Sequence, residues 1–358
     1  MYEERITAML YTDHTPGRTV LQEGRSCLFF SGFAYLGLHQ LPAFKQLLAE
    51  GIEKYGALFP SSRSGNLRLS IYEETEHALC THLKQQSAAV FSSGYLASQA
   101  AVQYAVSNRQ PLYAPDAHPS LWYQQPVLPD MSREEWIIRT IEQVNAHPDH
   151  HFVIITDTVN PLTGAIHPFH WLQELQRKVL VLADDSHGIG VLGPDGQGAI
   201  HFLPETPYVR YLLSASLAKA YSVAGGVVAG HAADITAVKK LPVFSGSTPM
   251  IPAHAHAWLH SGDLAAKMRR SLQQNIAYFL HLTANTTVHN PHGLPMFILP
   301  PGDALVHYLH DRDVIISSFP YPQPHSPVIN RAVVSALHLQ EDIATLHQFL
   351  QEFGITKV

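Results

Sequence analysis

The stretch Ser214-Ala-Ser-Leu-Ala-Lys-Ala-Tyr-Ser-Val-Ala-Gly-Gly-Val-Val-Ala-Gly230 decides how this chain is read. An apolar strand, Tyr211-Leu-Leu213, runs into it, and a glycine pair opens a second strand at Val227-Val-Ala229. Lys219 therefore stands just past the end of a buried strand. An amine so placed is poorly solvated, which favours its neutral, nucleophilic form. Upstream, Val179-Leu-Val-Leu-Ala-Asp-Asp-Ser-His187 is another apolar run, and it ends in a carboxylate and an imidazole. Short continuous apolar runs are expected of strands covered on both faces.

Outward from this centre, strand and helix patterns alternate. Ala88-Ala-Val-Phe91 leads into a small-residue helix from Gly94 to about Ser107, and Phe152-Val-Ile-Ile-Thr156 is a further buried strand. Helical patterns cover Pro42 to Tyr55 and Tyr72 to Gln86. The alternation predicts an α/β architecture, a large doubly wound and mainly parallel sheet with helices on both sides. The breaker-rich segment Phe244-Ser-Gly-Ser-Thr-Pro-Met-Ile-Pro252 marks a boundary. Beyond it come a long helical pattern to about residue 283, short strands at Met296–Leu299, Val314–Ser317 and Ala332–Ser335, and a terminal helix. The expected division is an extended N-terminal arm over 1–41, a large domain over 42–250 and a smaller C-terminal α+β domain over 251–358.

Bulk composition narrows the function. The chain has 358 residues, 46% hydrophobic and 15% charged, ample for a large core. A net charge of −6 supplies no basic field for nucleic acid or an anionic membrane. Cys27 and Cys80 cannot make a disulfide framework, which favours a reducing compartment. The N-terminus lacks the build of a signal peptide, and no apolar run is long enough for a membrane span. A soluble, cytoplasmic protein is expected. The histidines at His147-Pro-Asp-His-His151 and His254-Ala-His256 lack familiar metal-ligand spacing, so no metal site is predicted.

Gly188-Ile-Gly-Val-Leu-Gly193 satisfies the dinucleotide fingerprint G-x-G-x-x-G, but the chain continues as Pro194-Asp-Gly-Gln-Gly198, with no helix to face a pyrophosphate. Ser92-Ser-Gly-Tyr-Leu-Ala-Ser-Gln99 is a better anion site. Gly94 allows close backbone approach, and the first amides of the following helix are unpaired and carry the positive end of its dipole. Asp116-Ala-His118 follows the strand-like Pro111-Leu-Tyr-Ala114 and offers a flat imidazole. A lysine, an aspartate and a histidine at strand ends, with a phosphate cradle, are what pyridoxal phosphate (PLP) requires. The lysine forms a Schiff base and the aspartate keeps the pyridine nitrogen protonated.

From Tyr35-Leu-Gly-Leu38 to Arg331-Ala-Val-Val-Ser-Ala-Leu-His338 the chain resembles the α-oxoamine synthases, PLP enzymes of the aspartate-aminotransferase fold. The resemblance is most specific in Phe91–Gln99, Asp184–Val191 and Ser214–Lys219. It implies a PLP-dependent transferase that joins an amino acid to an acyl-CoA with loss of carbon dioxide. Overall likeness points to alanine and a dicarboxylic acyl donor, as in biotin synthesis. It further implies that Lys219 is the Schiff-base lysine, that Asp184 faces the ring nitrogen and His187 the ring oxygen, and that His118 stacks on the ring. Gly94, Tyr95 and Ser216 would hold the phosphate, and Thr248 would reach the phosphate of a neighbouring subunit in a homodimer with shared sites. Arg331 would grip the amino-acid carboxylate, which suits its two-pronged geometry. Three departures stand out: Phe33 where relatives carry Asn, Pro161 where they carry Ser, and Leu58-Phe-Pro-Ser-Ser-Arg-Ser-Gly-Asn66 in place of a segment with Gly-Ser-Arg. An aminotransferase on the same fold and a non-catalytic PLP-binding protein are the alternatives.

Overall fold

A computed structural model describes residues 10–321 and 326–356. The chain forms two compact units, one from Leu41–Asn160 with Ile166–Ala266, the other from the segment up to Gln40 with Pro161–Ala165 and everything from Lys267 on. Among the described residues no helix is long and apolar enough to cross a membrane.

The larger unit is built on a six-stranded sheet. Its order is Ser87–Phe91, Gly226–Gly230, Val209–Ser216, Val179–Asp184, Phe152–Asp157 and Gln110–Tyr113. The last four run parallel to one another, while Gly226–Gly230 is antiparallel to both of its neighbours. The sheet is thus mainly parallel, and the one reversed strand follows from the short return through Lys219 rather than a helical crossover. Every residue of Phe152–Asp157 and of Val179–Asp184 is buried, which explains why these runs show no polar alternation. The Gly94–Val106 helix packs along the sheet with alanines on its buried side, and Ser93 caps it by accepting from Leu96 N–H at 3.2 Å. Gly193 opens no α-helix, only a short 3₁₀ turn at Gly198–His201. Helix Pro42–Tyr55 meets helix Pro252–His260 at Gly51, where an added Cβ would lie 2.7 Å from Ala253 Cα. The helical pattern expected to run on to residue 283 is two helices, Pro252–His260 and Gly262–Thr283, divided at Ser261.

The smaller unit carries a five-stranded sheet ordered Thr19–Gln22, Arg25–Phe30, Val314–Pro320, Val328–Val333 and Met296–Leu299. The N-terminal arm is therefore a hairpin, turning at Glu23-Gly24, and Arg25–Phe30 pairs in parallel with Val314–Ile316. Its alternation is short and mixed, and its partner strand lies nearly 300 positions later, so local pattern carries little of this pairing. His338 ties the arm to the C-terminal segment. Its ring stacks on Phe30 (centroids 4.1 Å apart), Nδ1 accepts from Ser335 N–H at 2.9 Å and Nε2 faces Phe29 O at 3.2 Å.

Burial pushes the His338 pKa down to about 4. Between the ordinary histidine value and that one, the unfolded chain binds a proton that the folded one refuses. This contribution is complete above pH ~6.5 and is lost as pH falls toward 4, a swing of about 3 kcal/mol. Denaturant midpoints measured from pH 7 to 4.5 are expected to fall less steeply for His338→Gln than for the natural chain.

Candidate active site

The register of the large sheet places the ends of its parallel strands along one rim. Asp157 pairs with Asp184, Asp184 with Ser214, and Ser216 with Gly226, which also pairs with Phe91. Lys219 follows Ser216 in the bend leading to Gly226, Gly94 follows Phe91, and His118 follows the Gln110–Tyr113 strand. One sheet edge thereby collects Lys219, Asp184, His118, Gly94 and Ser216 from separate segments. His187 sits buried in the turn just past Asp184.

Asp184 is 5% exposed, and both of its oxygens have donors. Oδ1 accepts from Ser186 N–H at 2.8 Å, and Oδ2 from Ser98 Oγ at 2.8 Å and Ser120 Oγ at 3.4 Å. A buried carboxylate held this way is aimed rather than mobile. His118 lies within electrostatic reach of both key charges. Burial lowers its pKa, the nearby Asp184 opposes that, and Lys219 adds to it, so the ring is neutral near pH 7. His118 N–H donates to Asp157 Oδ2 at 2.8 Å. Burial, reinforced by the adjacent Asp184, pushes the Asp157 carboxyl well above the usual carboxylate range. The loop before His118 is anchored by Asp116, which accepts from Arg133, from Asn160 Nδ2 at 3.0 Å and pairs with His167 Nε2 at 3.1 Å.

The start of the Gly94–Val106 helix is a cradle that side-chain atoms would fill. A Cβ on Gly94 would lie 2.4 Å from Ser216 Cβ and 2.7 Å from Ser216 Cα, and a Cβ on Gly226 would lie 2.3 Å from Ser93 O. Only glycine permits three segments to close so tightly around the first turn of a helix. Ser216 is fixed in turn, its N–H donating to Ser186 Oγ at 2.9 Å. Tyr95, next in the helix, has its ring exposed. The cradle, the buried acid and the strand-end lysine fit PLP. Thr248 is exposed in the loop after Pro242–Gly246 and takes no part in these hydrogen bonds.

Arg331 belongs to the smaller unit. It is 1% exposed, its Nη1 donates to Pro161 O at 2.9 Å, and its guanidinium lies over the rings of Phe33 (4.9 Å) and Phe319 (5.4 Å). Its Nε and Nη2 are buried with no hydrogen-bond acceptor among the described residues. Unsatisfied donors on one edge of a buried cation call for an anion with two oxygens. Phe33 and Pro161, the departures noted in the sequence, are both contacts of this side chain.

Four residues escaped the sequence reading. Asp157 ends its apolar strand as Asp184 does, so the same rule could have found it. Asp185, buried beside it with a pKa raised to about 7 mainly by burial, accepts from Thr158 Oγ1 at 2.6 Å and Ala199 N–H at 2.9 Å and so pins the loop carrying His187. Ser98 and Ser120 are ordinary serines until the fold brings them to Asp184.

The aminotransferase class I and II family matches residues 135–348, and the chain belongs to that family. It is 27% identical to 8-amino-7-oxononanoate synthase of Vibrio cholerae over 97% of this chain and 93% of that protein. It is 26% identical to serine palmitoyltransferase of Bacteriovorax stolpii over 95% of this chain and 85% of that protein. In fold it is similar to Sphingomonas wittichii serine palmitoyltransferase, with a TM-score of 0.79 at 15% identity, covering 98% of this chain and 93% of that one. Both named relatives are α-oxoamine synthases, and the cofactor of the family is pyridoxal phosphate.

Gly94→Ala would force its Cβ against Ser216 backbone. Overpacking of this kind costs roughly 1–3 kcal/mol, and PLP affinity should drop at least about tenfold as the helix amides are pushed away. Calorimetric melting and cofactor titration check both, and Gly94→Ala with Ser216→Gly should recover part of the loss.

Proposed function

We propose that this protein is an acyltransferase that condenses an amino acid with an acyl-CoA, releasing carbon dioxide and an α-aminoketone. The observation that carries the cofactor half of this reading is the buried, doubly held Asp184 on the same sheet rim as Lys219 and the Gly94–Ser216–Gly226 cradle. The acyl-transfer half is supported by two relatives that span nearly the whole chain and share that chemistry.

Bound here, PLP supplies an electron sink for a carbanion at the substrate α-carbon. The chain's own residues do the rest. Asp184 holds a proton at the pyridine nitrogen, a charge pair worth on the order of a few kcal/mol in a buried site. His187 would hydrogen-bond the ring oxygen and His118 would cover a ring face. The helix amides at Gly94 and Tyr95, with the Ser216 hydroxyl, bind the phosphate. Lys219 would tether the cofactor through Nζ, and the same amine, when free, would accept the substrate α-proton. Arg331 clamps the substrate carboxylate with its unsatisfied Nε and Nη2 edge. Thr248 would serve the partner's phosphate in a homodimer.

For substrates, alanine with a dicarboxylic acyl-CoA, as for 8-amino-7-oxononanoate synthase, is the first reading, with biotin synthesis as its setting. The serine palmitoyltransferase similarity favours a second, serine with a long-chain acyl-CoA.

Borohydride reduction of the yellow PLP-loaded protein should leave a pyridoxyl group on Lys219 in peptide mapping, absent from Lys219→Ala. Thiol titration of released CoA across alanine, serine and glycine with dicarboxylic and long-chain acyl-CoAs should show turnover with one pair. Keto acid formed without CoA release would instead make the protein an aminotransferase. Cofactor colour with neither product would make it a non-catalytic PLP-binding protein.

A further inference from the structure

Asp184 and His118 come from different strands, yet one small side chain touches both. Ser120 lies buried in the Pro119–Leu121 turn, with Oγ 2.8 Å from His118 Nδ1 and 3.4 Å from Asp184 Oδ2. The turn is clamped from behind. Gln99 Nε2 donates to the carbonyls of Ser120 at 2.8 Å and Trp122 at 3.0 Å, and Trp122 Nε1 donates to Ala117 O at 2.8 Å. Gln99 stands on the helix that also supplies Gly94 and Ser98, so the cradle, the acid's partner and this turn share one rigid support.

The hydrogen bonds also specify a tautomer. Ser120 N–H donates to His118 Nδ1 at 3.1 Å, so Nδ1 is an acceptor and the proton of the neutral ring resides on Nε2. The Ser120 hydroxyl then has its proton to give either to Nδ1 or to Asp184. The distance of 2.8 Å is that of a full O–H···N bond, whereas 3.4 Å to Oδ2 is a weak contact. Asp184 is already held by Ser98, which stands 3.1 Å from Ser214 Oγ, and by Ser186 N–H. Ser120 therefore matters more to the ring than to the acid.

We infer that Ser120 is a positioning residue of the cofactor site, its hydroxyl donating to Nδ1 and so fixing His118 as the Nε2–H tautomer. The inference rests on the reading of this rim as a PLP site. Its mechanical part is independent of that reading. Without the hydroxyl, Nδ1 loses its shorter contact and keeps the longer one to Ser120 N–H, and the buried ring gains freedom to change tautomer and tilt.

The test uses the full-length protein with PLP added, as the natural chain, Ser120→Ala, Ser120→Cys and the hydroxyl-retaining Ser120→Thr. Histidine ¹⁵N spectra, with His118→Gln to identify the signal, report the tautomer, and absorbance titration reports PLP affinity. The natural chain and the Thr variant should show a protonated Nε2 and a bare Nδ1. The Ala and Cys variants should show a mixture with Nδ1–H, and PLP binding about tenfold weaker. Should Ser120→Ala not fold, the Cys variant, whose thiol is a weak donor, gives the same comparison. Unchanged His118 signals in both loss variants, or a Thr variant as impaired as Ala, would overturn the inference. A natural chain that takes up no PLP defeats the cofactor reading instead, while the spectra still decide what Ser120 does to His118.

Discussion

The arrangement depends on a carboxylate kept out of water at the end of a strand. Asp184 terminates a run in which every residue is buried, and its charge is tolerable only because Ser98 and Ser186 present hydrogen-bond donors to it. Those donors come from the helix above the sheet and from the turn that follows. The acid therefore ties that helix and that turn to the strand end, while Ser93 caps the helix start. With the helix start set, Gly94 must pass within contact distance of Ser216, and Gly226 within contact distance of Ser93.

Three aspartates crowd this rim, and the surroundings give them different duties. Asp157 and Asp185 are both raised, chiefly by burial, and each serves to hold backbone, at His118 and Ala199 respectively. Repulsion between neighbouring carboxylates discourages all of them from being charged at once.

Two of the three departures from the family pattern gather on one side chain. Phe33 supplies an aromatic face, and Pro161 a backbone carbonyl, to the Arg331 guanidinium. A stacked and tethered arginine loses little freedom when it binds a planar anion. Phe33 thus gives this cation an aromatic neighbour, the Pro161 carbonyl is one that any residue there would supply, and among the described residues one edge keeps donors without acceptors.

Much was legible in the residues alone. Continuous apolar runs announce doubly buried strands, and Lys219, Asp184 and His187 stand at or just after the ends of such runs, while His118 follows the more exposed edge strand Gln110–Tyr113. The family likeness of those segments then names the cofactor. The arm hairpin was not legible, since Arg25–Phe30 finds its partner in Val314–Ile316 across most of the chain. Ser98 and Ser120 were equally silent, for a serine's role depends on which acceptor the fold puts within 3 Å of it. Local sequence determined the chemical groups and the elements that carry them. Only the tertiary structure, by setting strand register and helix placement, decided which hydroxyl meets which acid, because hydrogen bonds depend on distance in space and not on spacing along the chain.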